Sequence, residues 1–396
     1  MSLTIPHPQL KRYQWPGLIV GLVGLTISVI GAFFNLEQFW QSYLLAYIFW
    51  LQFGLGCLAM VMLHHLVGGR WSFIIRRLME AGAMTLPLLA ALFIPLLFGL
   101  TWLYSWTDSE YIAQNELLQH KSVYLNIPFF LIRAALYLIV WGGLAYLLNR
   151  WSLKQDQTDD ANLTTRMRRL SGVGIIIYML TATFAAYDWM MSLEPEWFSS
   201  IYGLLFIAGQ ALAALALAII GLSLLVRHQA ASSDWVDYFN DLGNFLLGFV
   251  MIWAYVSFSQ FLVIWSANLP EEAVWYYRRS QGGWQWLGVL LIAFHFALPF
   301  LLLLSRLVKR KVQLLTIVAA LIIVARLADL YWLIMPAFYP NQIHAHWMDL
   351  TLIITIGGGW LALFFRQVAS KPLLPLNDPQ FQEVITHAHK EEPVSP

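Results

Sequence analysis

The stretch TATFAAYDWMMSLEPEWF, Thr181 to Phe198, sets the carboxylate of Asp188 inside an apolar run that closes at Leu193 and Pro195. Such a run reads as the end of a helix crossing a hydrocarbon layer, where an ionisable group costs about a few kcal/mol on insertion scales. A carboxylate retained there faces a protein interior and needs a partner. A second stretch has the same form. Asp329 precedes Pro336 by seven residues, as Asp188 precedes Pro195, again near the end of an apolar run. The shared spacing points to a duplicated chain.

The rest of the sequence agrees with a membrane setting. Of its 396 residues, 59% are hydrophobic and only 11% charged, which excludes a soluble domain. Ten apolar runs are long enough to cross as helices, near residues 16–34, 41–66, 83–105, 126–148, 171–193, 198–226, 241–269, 284–306, 312–335 and 345–368. Barrel strands would alternate in polarity over ~10 residues, and these runs do not. The expected fold is an all-α integral membrane protein with ten transmembrane helices.

Pairing helices 2–5 with helices 6–9 preserves the direction of every helix, because four crossings return the chain to its starting side. That is a parallel repeat, with its pseudo-axis along the membrane normal. The expected divisions are an N-terminus with helix 1 (1–35), a first four-helix bundle (36–197), a second (198–340), helix 10 (341–369) and a proline-rich tail (370–396).

Of the 23 Lys and Arg residues, eighteen fall on one side of the ten spans, from Lys11 and Arg12 through Arg227 to Lys371 and Lys390. Only Lys121, Arg278 and Arg279 fall on the other, while Arg133 and Arg326 lie within helices. Cytoplasmic loops carry the basic excess, so both termini are expected in the cytoplasm. Charge sorted in this way, with a net +1, gives no reason to expect a nucleic-acid partner. Lys11 and Arg12 lead into a full-length span without a small-residue cleavage site, so helix 1 is expected to be retained.

A single cysteine, Cys57, excludes an internal disulfide, a cysteine-ligated iron–sulfur cluster and a c-type haem attachment motif within this chain. His295 is the only clearly mid-membrane histidine, so a b-type haem and other metal sites are not expected. His344 and His346, two residues apart, do not share a helical face.

Several polar residues carry the chemical readings. Arg133, seven residues past Asn126, lies roughly 10 Å below the outer surface at 1.5 Å per residue, and Asp188 roughly 8 Å below it. Matched depth predicts an Arg133–Asp188 ion pair. Arg326 and Asp329, three apart, share a face of helix 9. His64, His65 and Glu80 stand where a cytoplasmic proton path would open. The intervening segment from Arg70 to Met84 reads as a short interfacial helix, and Pro87 and Pro95 predict a bend beyond it. Gly17 and Gly21 in helix 1 allow close approach of another helix. The most distinctive stretch is FSQFLVIWSANLPEE, Phe258 to Glu272, preceded by Tyr255 and Ser257 and followed by VWYYRRSQGGW.

With RAALY at Arg133, YDWMMSLEPEWF at Tyr187, FSQFLVIWSANLPEE at Phe258 and ARLADLYW at Ala325, nearly the whole chain resembles one family. This is the NrfD/polysulfide-reductase-like integral membrane subunits of bacterial alternative complex III, a quinol:cytochrome c oxidoreductase. The resemblance is closest to the second such subunit of the complex.

It implies residence in the bacterial inner membrane beside a homologous NrfD-like membrane subunit, an iron–sulfur subunit and multihaem cytochrome c subunits. Haem c and iron–sulfur clusters would then belong to partners, with menaquinone nearby and its oxidation mainly in the sister membrane subunit; this chain, not catalytic alone, would support proton translocation through two half-channels and assembly without a redox centre of its own. Mapped onto this sequence, an outer proton half-path comprises Arg133, Asp188, Arg326, Asp329 and Asp349, and an inner one His64, His65 and Glu80. Gln52, Gln210, Gln260 and His295 would bridge the middle through water. Three other readings stay open: a quinol-binding subunit built on helix 7, His295 and the outer carboxylates; a secondary transporter; and a structural anchor whose Arg/Asp pairs only orient helices.

Overall fold

The structure, a computed structural model, describes residues 8–158, 160–226 and 233–372. The tail beyond Pro372, with Lys390, lies outside the described residues, as do Asp159 and Arg227. Helices are the only regular structure among the described residues. Ten are long and apolar enough to cross a membrane: α1 Leu10–Phe34, α2 Leu36–Val67, α3 Trp71–Leu103, α4 Ile127–Gln155, α5 Asn162–Leu193, α6 Tyr202–Leu225, α7 Trp235–Ala267, α8 Trp284–Leu304, α9 Val312–Ala337 and α10 Trp347–Ala369. The chain is thus built as a multi-pass membrane protein. One face holds the loops rich in Lys and Arg and is called the basic face below.

Local chemistry sets several helix boundaries. Asn35 opens α2 and Asn126 opens α4 by accepting from the Gln38 and Phe129 amides, both at 3.0 Å, which satisfies donors left without an intrahelical partner. Asp349 and His346 form a reciprocal cap at the start of α10. α7 stops where Asn268 takes a left-handed conformation (φ 50°), and Pro270 starts the short helix Pro270–Arg279 that follows.

The segment read as interfacial behaves differently. Arg70–Ala83 is helical, but Ser72, Phe73, Arg76, Arg77 and Glu80 are all buried. It docks against α2 and α6 rather than lying on a lipid surface, with Arg76, Arg77 and Glu80 paired within the chain. The helix breaks at Met84 and Thr85 and resumes with Pro87 in its first turn, where a missing amide donor costs nothing. Beyond Pro95 it loosens into a 3₁₀ turn, Leu97–Gly99.

α2 and α6 form the centre, with 89% and 78% of their most apolar windows buried. They pack on each other, α2 also on α5, α9 and α10, and α6 also on α5, α7 and α9. Contacts run in a closed ring through α2, α3, α4 and α5, and in another through α6, α7, α8 and α9.

α1 lies outside both rings against α10. Gly17 and Gly21 meet the backbone around Gly358, so the small-residue spacing in helix 1 serves a contact within the chain. Ser28 Oγ donates to Thr351 Oγ1 at 2.9 Å across the same seam. A Cβ on Gly21 would sit 3.1 Å from the Thr355 carbonyl oxygen and 3.3 Å from Gly358 Cα, both backbone atoms. Gly21→Leu is therefore expected to cost about 1–3 kcal/mol of overpacking and to release α1. In a Ser28→Cys/Thr351→Cys background, oxidative cross-linking should fall sharply on adding Gly21→Leu; undiminished cross-linking would contradict the packing.

Candidate functional site

Asp188 is fully buried and completely partnered. Arg133 grips it at both oxygens, Nη2 to Oδ1 at 2.8 Å and Nε to Oδ2 at 2.9 Å, and the Tyr137 hydroxyl donates to Oδ2 at 2.9 Å. This is the contact that matched depth predicted. Arg133 Nη1 also donates to the Tyr124 carbonyl at 2.9 Å, and the guanidinium lies 3.8 Å over the Tyr124 ring. Fork-to-fork pairing of this kind is strong and directional. Aromatic side chains fill the interior beside it: Trp189 packs on Tyr47, Phe93, Tyr137 and Trp141.

Asp329 is arranged otherwise. Its partner Arg326 lies on the same helix, as their spacing requires, and pairs through Nη1 with Oδ2. Trp253 Nε1 donates to that same oxygen at 3.2 Å. Oδ1 has no hydrogen-bond partner among the described residues. Arg326 also donates from Nε and Nη2 to Gln52 Oε1 on α2, both at 3.3 Å, linking the two rings at mid-helix. The guanidinium fits only because Gly209 stands opposite, where a Cβ would collide with it.

Beside this pair lies a cavity of about 700 Å³, walled by α6, α7, α8, α9 and the helix Pro270–Arg279. Trp253, Tyr255, Phe258, Phe261, Trp275, Tyr276, Phe296 and Trp332 give it an aromatic surface, and its few polar groups include Asp329, Gln260 and Trp332 Nε1. Met251, Tyr255, Phe258 and Ile292 are exposed wall residues on α7 and α8, so the cavity opens sideways between those helices. Asp329, eight residues before the end of α9, lies roughly 12 Å from the face opposite the basic one.

Buried polar atoms without protein partners gather here. Among the described residues neither Nε2 nor Oε1 of Gln260 has a partner, nor has Trp332 Nε1. Buried groups of this kind normally find a hydrogen bond, from water or a ligand where protein supplies none. His295 is fully buried, with both ring nitrogens unpartnered among the described residues and its ring 3.8 Å from that of Trp253. It sits in a π turn, Ile292–Ala297, of α8. Pro299 follows, and its missing amide hydrogen would otherwise close the α-helical bond to the His295 carbonyl.

A clamp that sequence reasoning missed holds the rim on the face opposite the basic one. Glu194 accepts from Arg278 Nη1 and Arg279 Nη2, both at 2.9 Å. Arg279 also donates to the Trp332 and Leu333 carbonyls at 3.1 and 2.9 Å and stacks 3.6 Å over Trp275. It thereby fixes two of the cavity's tryptophans. EPEW closes the Asp188 stretch and YYRR follows the most distinctive one, but the pairing of Glu194 with Arg279 spans 85 positions.

The other expected site residues fall into separate groups. Gln210 binds the Tyr178 hydroxyl rather than Arg326 or Asp329. Asp349 accepts from Ser42 Oγ at 2.5 Å, Gln38 Nε2 at 3.3 Å and the His346 amide at 3.0 Å, which ties the start of α10 to α2. No hydrogen bond joins the Asp188, Asp329 and Asp349 groups among the described residues.

Near the basic face, Glu80 is held by Arg76 at 2.9 Å, Arg77 at 2.6 Å and Ser152 Oγ at 2.6 Å, and Arg77 continues to Asp156. Burial raises the Asp156 carboxyl above its ordinary range despite the opposing pull of Arg77, and burial lowers the amine of Lys371. His64 Nδ1 meets Ser72 Oγ at 2.7 Å, while His65 Nε2 is buried without a partner among the described residues. Among the described residues neither histidine is hydrogen-bonded to Glu80.

Neither a scan of protein-family models nor a search of curated proteins finds a match to this chain.

Proposed function

We propose that this chain is a quinol-binding membrane subunit of a quinol-oxidising respiratory complex, and that the cavity beside Asp329 takes the quinol. The observation that carries this reading is the cavity itself: a sideways opening between lipid-facing helices, aromatic walls, and a few polar groups set at depth. A ligand site of this type is mostly apolar, with a few polar groups that fix orientation. An isoprenoid tail suits the open side, and the headgroup suits Gln260, Trp332 Nε1 and Asp329 Oδ1.

In this arrangement a quinol hydroxyl donates to Asp329 Oδ1, which takes its proton as general base. Arg326 holds the other oxygen and steadies the carboxylate. Oxidation of the quinol releases two protons and two electrons. The family resemblance assigns the electron carriers to partner chains, an iron–sulfur protein and multihaem cytochromes c. With the basic face cytoplasmic, as the positive-inside rule favours, the cavity lies in the outer half of the membrane and its protons have a short way out.

The two closed rings of helix contacts fit a parallel repeat in which Asp188 and Asp329 correspond. The first ring is filled by aromatic side chains and the second is open, which favours the second as the working half. The reading of this chain as a proton conductor without a quinol gains less support, since Asp188, Asp349 and Glu80 are each fully engaged in local networks. A transporter would more naturally use helices broken at mid-membrane, and α7 and α9 run through uninterrupted.

The test is photolabelling of the purified full complex with a short-chain azidoquinone. Label is expected in the α7 segment 251–261 and the α8 segment 288–296. Gly288 lines the cavity and its Cβ position has only ordinary contacts, the nearest 3.6 Å away at Trp332 Nε1. Gly288→Leu should therefore fill the space without distorting the helices and reduce labelling about tenfold, an order-of-magnitude expectation for a blocked pocket. Label confined to another subunit, or unmoved by Gly288→Leu, would overturn the proposal.

A further inference from the structure

A second cavity, of about 290 Å³, lies at the basic face and is separate from the quinol cavity. It is lined by Asn240 and Asn244 near the start of α7 and by Arg306, Lys309 and Arg310 between α8 and α9, with no carboxylate in its wall among the described residues. Lys309 is a built part of this pocket, since only 7% of it is exposed. Its stem crosses α7 at Gly243, where a Cβ would come within 2.7 Å of Lys309 Cγ. Its amine donates to Asn244 Oδ1 at 2.7 Å, so the Asn244 side chain has its amide hydrogens left as donors. Arg310 makes one solvent-exposed contact, 3.3 Å to Asp237. Neither Asn240 nor the Arg306 guanidinium has a side-chain partner among the described residues.

We propose that this pocket holds the phosphate of an anionic phospholipid. Three cations and two amides supply donors only from Arg and Lys, and donors as well from the two asparagines, a set that suits phosphate oxygens. A basic pocket between helices at this level of a membrane is matched to such a headgroup. The neighbouring surface selects a lipid over a free anion. Leu301, Leu304 and Leu307, on the last turns of α8 and the short connection after it, are 64%, 54% and 57% exposed. They offer the acyl chains a path directly below the headgroup.

The test is native mass spectrometry of the full chain in detergent, titrated with phosphatidylglycerol or phosphatidylcholine. Phosphatidylglycerol should bind at least about tenfold more tightly. The double variant Arg306→Gln/Arg310→Gln, which changes only exposed side chains, should weaken phosphatidylglycerol about 25-fold, at about fivefold for each cation near a membrane surface. Arg150→Gln, an exposed arginine outside the pocket, should leave it unchanged. Equal binding of the two lipids, or retention by the double variant, would overturn the proposal. Displacement of the lipid by inorganic phosphate at equal concentration would also overturn it, by identifying the site as one for the free anion.

Discussion

Asp188→Leu is expected to destabilise the protein by about 3–5 kcal/mol, because it leaves the Arg133 guanidinium charged and unpaired in a closed interior. Arg133 would keep its bond to the Tyr124 carbonyl and its place over the Tyr124 and Phe129 rings, none of which carries a negative charge. The Tyr137 hydroxyl would lose its acceptor as well. Removing the cation together with the carboxylate, as Arg133→Met/Asp188→Leu, should recover most of the loss, since a buried pair exchanged for apolar groups of similar volume is often near neutral. The measurement is the thermal midpoint of the purified complex for wild type, both single variants and the double. A double variant as unstable as the worse single would show that the pair does more than satisfy itself. If the quinol site is in the second ring, the folded double variant also keeps its quinol turnover. Loss of turnover with stability restored would return the proton-path reading of Asp188.

That pair was legible in the sequence because depth alone constrains it. Counting residues from the ends of two helices put both charges at one level, and a bilayer interior leaves a buried charge few choices of partner. The ten helices were legible for a similar reason, since hydrocarbon thickness sets the minimum length of an apolar run. Arg326 and Asp329 could be joined because three residues along a helix share a face.

What could not be read depends on how helices meet. Gln52 and Arg326 are 274 positions apart, and their bond follows from α2 and α9 becoming neighbours. The burial of Arg70–Ala83 was misread because its charge looked like a surface signal. Arg76 and Arg77 are instead held by Glu80, Ser152 and Asp156. A cavity leaves even less trace. Trp253, Trp275 and Trp332 look like the tryptophans that fill the first ring, and only their positions distinguish walls from filling.

Asp329→Asn is expected to lower quinol oxidation about 10²–10⁴-fold, the usual contribution of a positioned general base. The substitution preserves shape, and the asparagine oxygen can still accept from Arg326 and Trp253 in place of Oδ2. That choice turns the amide nitrogen toward the position of Oδ1, where a donor would stand in place of an acceptor. Quinol binding should therefore fall by a small factor while turnover collapses, so kcat carries the effect and KM moves little, the signature of an interaction made in the transition state. Azidoquinone labelling of the same preparation separates the two outcomes, because it reads occupancy without chemistry. Asp329→Glu should restore part of the turnover, since it returns a carboxylate at a displaced position. A variant with labelling and turnover both within about twofold of wild type, well short of what a general base supplies, would remove Asp329 from the reaction and leave the cavity without a proton acceptor of its own.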